Sequence, residues 1–319
     1  MATQQVTILM PVYNGRGFVK EQIDSILNQT HRDLKLVVLD DCSGDGSYEY
    51  IKQAFGAEPR VTILQNERNL GVIASFEKLL AYVDTDVFFF ADHDDVWLPN
   101  KVARTLEVLE QSGADLVYTD VEMVAEDLSR IHPSKWQFSN TPPVAGDDPV
   151  PIILKNPVTG CTIAARSSLI PKATPFPTDV PMHDRWLAAV AACTGKVAYV
   201  PESTMLYRQH GRNDTGGFPF GVEGFRRRVR KDGRGSMQRY LSNRAGKRRA
   251  ILAGLAERGY DHPSLLPVAR MYHAPWSVRI RQAPGYLAFL SRKQKTLGTR
   301  NIVSELFMNL MPYGNGEQK

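Results

Sequence analysis

The stretch Val87-Phe88-Phe89-Phe90-Ala91 runs directly into Asp92-His93-Asp94-Asp95. A continuous apolar, aromatic-rich run of this length, bounded by polar residues, predicts a strand buried on both faces. Its end carries three carboxylates and an imidazole within four positions. Carboxylates so close repel one another and cannot all stay ionised in a dry site. A hard divalent cation with oxygen ligands relieves that repulsion. Strand side chains alternate, so Asp92 and Asp94 face the same way if the extended geometry continues past Ala91. Mg²⁺ or Mn²⁺ held by one or two carboxylates completes its shell with water and phosphate, which points to a nucleotide diphosphate. The competing reading is a helix entry. There Asp94 or Asp95 caps the helix that begins at Pro99-Asn100-Lys101, and the other acids are solvated.

Upstream of this stretch, strand and helix patterns alternate. Val6–Val12 predicts a buried strand ended by Pro11, with turn chemistry at Tyr13-Asn14-Gly15. Residues 18–29 have helical spacing, 34–39 are apolar and end in Asp40-Asp41, and 48–55 form a second helical pattern. Residues 60–65 predict a third strand and 74–83 a third helix. After the central strand come a helix over 101–111 and a strand over 116–119 that ends at Asp120. Strands alternating with helices of ten or more residues imply right-handed crossovers and a mostly parallel, twisted α/β sheet covered on both faces. Ligands of open α/β sheets collect at the carboxyl ends of the strands. Pro11-Val12-Tyr13, Asp40-Asp41, residues 92–95 and Asp120 all stand at such ends, and four converging strand tips outweigh any single motif.

Residues 126–157 are rich in Pro, Ser, Asp and Asn and predict a long irregular connection, a binding loop or lid. Residues 159–165 predict a strand, 167–172 a short helix, 182–193 a helix and 196–200 a last strand.

The apolar fraction of 43% is that of a globular protein, which excludes a disordered chain. The start of the chain lacks a signal-peptide pattern, and no uncharged apolar run reaches the roughly 18–20 residues needed to span a bilayer. Cys42, Cys161 and Cys193 lie far apart without metal-type spacing, which predicts reduced thiols acting as small apolar fillers in a cytoplasmic protein. The net charge of +5 conceals an asymmetry: −9 over residues 1–220 and +14 over 221–319. These predict one main domain, 1–220, and a basic, mainly helical extension, 221–319, with a disordered tail. Clusters such as Arg226-Arg227-Arg228-Val229-Arg230-Lys231, beside apolar residues, predict attachment to an anionic membrane surface. No nucleic-acid recognition module is present.

Several motifs stand in a telling order: Pro-Val-Tyr-Asn-Gly from Pro11, Asp-Asp-Cys-Ser-Gly-Asp-Gly-Ser from Asp40, Asn-Leu-Gly-Val from Asn69, Asp-His-Asp-Asp-Val-Trp-Leu-Pro from Asp92, Asn-Pro-Val-Thr-Gly-Cys-Thr from Asn156, Met-His-Asp-Arg-Trp from Met182 and Tyr-Arg-Gln-His-Gly from Tyr207. Together they resemble glycosyltransferase family 2, in particular the bacterial rhamnosyltransferase-type members that build surface polysaccharides. The likeness runs over residues 6–213. It implies a GT-A fold and an inverting transfer from a nucleotide-diphospho-sugar, with dTDP-rhamnose as the expected donor. The acceptor would be a glycan or lipid-linked hydroxyl, reached at the inner face of the cell membrane. A UDP-hexose donor and a catalytically silent nucleotide-sugar-binding protein are the alternatives.

The resemblance also implies roles. Pro11 and Tyr13 would lie against base and ribose, and Asp41 would accept a hydrogen bond from a pyrimidine. Asp92 and Asp94 would form the DxD motif, with Asp94 contacting the metal. Asp184 would be the general base, unless it is only a first-turn helix residue. His210 matches a metal or pyrophosphate position and is otherwise a structural hydrogen-bonder. Asp120, His183 and Trp186 are candidates beside the donor or acceptor sugar, Trp186 as an aromatic wall or as packing. His93 stands where these relatives carry Gln, and Ser75 where they often carry Asn.

Overall fold

The computed structural model describes residues 4–210, 235–293 and the single positions 297, 302 and 305. The loop 211–217, the cluster Arg226 to Lys231 and the expected tail lie outside the described residues. One sheet organises the chain, with strands β1 (Val6–Val12), β2 (Leu34–Asp40), β3 (Val61–Gln65), β4 (Val87–Phe90), β5 (Val96–Trp97), β6 (Leu116–Ala125), β7 (Arg130–His132), β8 (Ala164–Arg166) and β9 (Val197–Gln209). Their order is β3-β2-β1-β4-β8-β6-β9-β5, with β7 added to β6.

The half built from β3, β2, β1 and β4 is parallel, as the alternating pattern predicts. The other half is mixed: β8 runs antiparallel to β4 and β6, and β5 antiparallel to β9. β4 is buried on both faces. Phe88 and Phe90 enter one apolar cluster, and Val87, Phe89 and Ala91 the other. This is strand alternation with helices on each side. Pro11 does not end β1 but pairs in register with Leu39. The carbonyl of Leu9 accepts from the amide of Ala91, so Pro11, of the same parity, addresses β4 where that strand has stopped. Its missing N–H is not needed there.

Helices α1 (Val19–Leu27), α2 (Ser47–Phe55), α3 (Val72–Leu80) and α4 (Lys101–Ser112) follow the predicted periodicity. Beyond α4 the expectations need correction. β6 continues past Asp120 to Ala125, because Val121, Met123 and Val124 stay buried although Asp120 and Glu122 break the apolar run. Residues 126–157 are not irregular: they hold β7, α5 (Lys135–Ser139) and α6 (Val150–Lys155). Residues 160–162 form a 3₁₀ turn closed by Thr162 Oγ1 on the carbonyl of Thr159 at 2.6 Å, so the strand there shrinks to β8. β9 is thirteen residues long, and it follows β6 through irregularities at Asp120.

α7 (Ile170–Ala173) and α8 (His183–Thr194) complete the α/β body. The basic C-terminal segment is helical where described: α9 (Gly235–Glu257), α10 (Leu265–His273) and α11 (Trp276–Arg292). Its residues Ile251, Leu252, Leu255 and Val268 share one apolar cluster with Trp186 and Phe88. Arg248, 1% exposed, pairs with Glu305 at 2.7 Å and donates to the carbonyl of Leu154 in α6. A buried guanidinium needs such partners. They tie the C-terminal helices to α6, the helix that leads into Asn156.

Candidate active site

A cavity of about 550 Å³ opens at the carboxyl ends of β1, β2 and β4. Pro11, Tyr13, Asp41, Asp92, Asp94 and Asp184 all line it. Residues separated by more than 140 positions thus surround one space. Tyr13 is 50% exposed and offers a ring face at its rim.

Asp41 is buried, and its carboxylate is occupied. Oδ1 accepts from the Leu70 amide at 2.8 Å and from Asn66 Nδ2 at 2.7 Å, and Oδ2 from the Gly71 amide at 2.9 Å. Gly71 has φ +82°, a conformation an L side chain rarely adopts, and it begins α3. Asp41 therefore holds the Asn69-Leu70-Gly71 turn against the cavity. The local turn beside it belongs to Asp40, whose Oδ2 accepts from the Ser43 amide at 3.0 Å. Ser75 lines the same end, and its Oγ is 3.4 Å from Asn66 Nδ2.

The acidic loop 92–95 does not cap α4. Asn100 precedes that helix, and Gln29 Oε1 takes the Val102 amide at 3.1 Å. The loop is clamped by Arg208 near the end of β9. Its amide donates to Asp95 Oδ1 at 3.1 Å, its Nε to the Asp94 carbonyl at 2.8 Å, and its Nη2 to Glu21 Oε2 at 2.5 Å. Gln22 Nε2 holds the Asp92 carbonyl at 2.8 Å. His93 leans on Gly15 and lines the cavity; burial lowers its imidazole below the usual range. His210 lies beyond the lining, where its Nε2 meets Asp94 Oδ2 at 2.8 Å and its ring stacks on Phe18. Its observed contact is thus with the carboxylate of Asp94.

Burial, then the neighbouring Asp94 and Asp184, raise the Asp92 carboxyl to about 7. Asp95 is raised in the same sense by burial, Asp94 and Asp92. The Cys161 thiol is buried beside this pair and is pushed up by burial and the two acids. Ligand atoms of Asp92, Asp95 and Cys161 lie within 4.8 Å of one another. A thiol held protonated is a poor ligand for a hard cation. Asp92 and Asp94, both on the cavity, fit Mg²⁺ or Mn²⁺: they are oxygen donors, and a cation lifts the repulsion that raises Asp92. Cys161 packs in the apolar core as the sequence predicts, and it also stands beside Asp92 and Asp95. Cys42 is exposed, Cys193 half-buried, and all three thiols are free.

Asp184 stands in the first turn of α8, and Met182 is the residue before the helix. It is 8% exposed, with Oδ2 3.4 Å from Asn156 Nδ2. The start of α8 is fixed by an aromatic stack. The His183 ring lies 4.1 Å from Phe76 of α3 and 5.4 Å from Phe90 of β4. Neither ring nitrogen of His183 has a hydrogen-bond partner among the described residues, and burial lowers its pKa to about 4. Gly160 covers it, since a Cβ there would come within 2.7 Å of Nε2. His183 itself lines the cavity, and its stacking on Phe76 sets the start of α8 beside Asp184.

Two sequence candidates fall away from the cavity. Asp120 is buried at a β6 irregularity, bonded to Ser134 Oγ and to the Val121 amide at 2.8 Å, where it holds the entry to α5. Trp186 is fully buried and donates Nε1 to the Ala173 carbonyl at 2.9 Å, so it is packing and no sugar wall. Sequence reasoning missed Arg208, Asn156 and Lys135, whose roles depend on distant partners.

The family description Glycosyl transferase family 2 matches residues 7–170. A putative teichuronic acid biosynthesis glycosyltransferase of Bacillus subtilis is 26% identical over 156 residues, 49% of this chain and 59% of that protein. The UDP-Glc:alpha-D-GlcNAc-diphosphoundecaprenol beta-1,3-glucosyltransferase of Escherichia coli is 26% identical over 176 residues, 54% of this chain and 64% of that protein. The matched region thus spans less than two thirds of these relatives. A solved mannosyltransferase of Pyrobaculum calidifontis, in complex with GDP-Man and Mn²⁺, superposes with a TM-score of 0.57 at 16% identity, covering 97% of this chain and 85% of that one. That likeness shows the GT-A fold. With the family matched over more than half of its length, the chain belongs to glycosyltransferase family 2.

Proposed function

We propose that this chain transfers a sugar, with inversion, from a nucleotide-diphospho-sugar to a hydroxyl of a glycan or lipid-linked acceptor in cell-surface polysaccharide synthesis. The observation that carries the reading is the shared cavity of Asp41, Asp92, Asp94 and Asp184. Tyr13 and Pro11 take the base and ribose, and Asp41 keeps the turn 69–71 in place around them. Asp92 and Asp94 would hold the divalent cation, which supplies Lewis-acid charge to the departing diphosphate. Asp184 receives the acceptor's proton while the acceptor oxygen bonds to the anomeric carbon and the bond from that carbon to phosphate oxygen breaks. One carboxylate suffices, because the leaving diphosphate needs no proton from a second. Asn156 and the wedged ring of His183 keep the base oriented.

The motif order favours dTDP-rhamnose as donor. A UDP-hexose is the second reading, supported by the UDP-Glc in the name of the E. coli relative. Purified protein incubated with each donor, Mg²⁺ or Mn²⁺ and candidate acceptors should release one nucleotide; release from none would sink the proposal.

Residues 221–319, of net charge +14, act in this reading as a basic extension of the catalytic domain formed by residues 1–220 and rest on anionic lipid at the inner face of the membrane. Each basic side chain near such a surface contributes about 1 kcal/mol. No helix among the described residues is long and apolar enough to cross a membrane. Co-sedimentation with anionic but not neutral vesicles checks this.

A further inference from the structure

Among the described residues two cations line the cavity, Lys135 and Arg185, and both are close enough to Asp184 to feel its charge. Lys135 Nζ donates to Thr159 Oγ1 at 3.1 Å and lies 4.4 Å from the Tyr207 ring centre. The Arg185 guanidinium makes no hydrogen bond or ion pair among the described residues. Burial and the nearby Arg248 and Arg244 disfavour its charge, lowering its pKa to about 10, yet it stays protonated at neutral pH. Arg248 is matched by Glu305, but Arg185 has no such carboxylate at contact distance among the described residues.

A partly desolvated cation without a contacting anion is costly. Here the cost falls beside Asp184, on the wall of the cavity. An anion arriving with the acceptor would offset it. The charges that act on Arg185 come from α8 and the C-terminal helices, whereas Lys135 also faces Asp92 and Asp95, so a phosphate of the acceptor is told from the donor's diphosphate by filling the nucleotide site first. The planar guanidinium fork matches phosphate oxygens in pairs, and the Lys135 ammonium adds a point charge.

We propose that Arg185 and Lys135 form an acceptor-side oxyanion subsite, which holds a phosphate carried by the acceptor about one sugar ring from its reacting hydroxyl. The subsite rests on the reading of Asp184 as base, but it binds phosphate whether or not transfer occurs. The full chain, saturated with the nucleoside diphosphate it binds best and Mg²⁺, is titrated with inorganic phosphate by calorimetry. Phosphate should bind with the nucleotide in place. Arg185→Gln and Lys135→Gln should each weaken it roughly tenfold or more, and in Arg185→Gln nucleotide affinity should shift less than about twofold. Arg185→Lys should fall between, and a cooperative melt of each variant confirms folding. Phosphate that fails to bind, binding indifferent to both variants, or nucleotide affinity that falls in step in Arg185→Gln would overturn the subsite. Transfer to a glycosyl-diphospho-lipid and to a polyol-phosphate oligomer, each against its phosphate-free counterpart, then identifies the source. A phosphate preference that Arg185→Gln abolishes supports the subsite, and no preference in either pair overturns it.

Discussion

His210 Nε2 lies 2.8 Å from Asp94 Oδ2, joining the end of β9 to the acidic loop across 116 positions of chain. The imidazole is held in turn by stacking on Phe18 at 4.9 Å between ring centres. Asp94 therefore faces the cavity with its orientation set by a neighbour. His210→Ala should weaken metal-dependent nucleotide binding about tenfold, in the range of losses when a partner that orients a metal ligand is removed. Asp94→Ala should cost more. Titration of Mn²⁺ and nucleotide by calorimetry checks both, and unaltered binding in Asp94→Ala refutes the ligand role.

Asp184→Asn keeps the shape of the first turn of α8 and removes the proton acceptor. Turnover should fall roughly 10²–10⁴-fold, the usual contribution of a positioned base. Donor affinity should stay nearly intact. Unchanged turnover would remove Asp184 from the chemistry.

Asp41→Ala should damage both stability and donor binding. It leaves the Leu70 and Gly71 amides and Asn66 without their acceptor. Loss of a buried charged acceptor costs about 2–4 kcal/mol. Urea unfolding should show that loss, and nucleotide affinity should fall with it because the turn 69–71 is released.

Asp92 makes the metal-free protein sensitive to pH. Its carboxyl titrates near 3.8 when unperturbed and at about 7 in the fold, raised by burial and by Asp94 and Asp184. The folded state holds this proton more tightly than the unfolded chain, so the contribution to stability is full below about pH 4 and is lost as pH rises through 7. Chelator-treated protein should lose melting temperature between about pH 5 and 7.5, and Asp92→Asn should flatten that slope. A slope identical in the variant would clear Asp92.

Arg208→Gln should loosen the acidic loop without touching a cavity residue's charge. It removes the Nε bond to the Asp94 carbonyl and the contact with Glu21. Arg208 is buried but Glu21 is half exposed, so the loss is mainly that of hydrogen bonds from a charged donor, about 1.5–3 kcal/mol. The thermal midpoint should drop, and metal affinity should weaken with Asp94 less well held.

Much of this was legible in the chain itself. β4 announced itself because an unbroken apolar run has few alternatives, and β1 and β2 follow the same logic. Asp120 misled, because a carboxylate after an apolar run looks like a strand end, whereas here the strand continues past a bulge and the acid turns inward to Ser134. Of the two readings of Trp186 the packing one holds: positions two apart on a helix face different ways, Asp184 to the cavity and Trp186 to the core.

By itself the sequence determined the strand-helix alternation, the two-sided burial of β4 and the acid-rich strand tips, since all three depend on periodicity and local composition. Only the tertiary structure decided which acids share a cavity, that Arg208 and His210 reach back to the acidic loop, and that Arg185 stands without a contacting carboxylate among the described residues. Those facts depend on pairings between positions far apart in the chain, and the free energy of a charge depends on the partners that folding brings to it rather than on its neighbours in sequence.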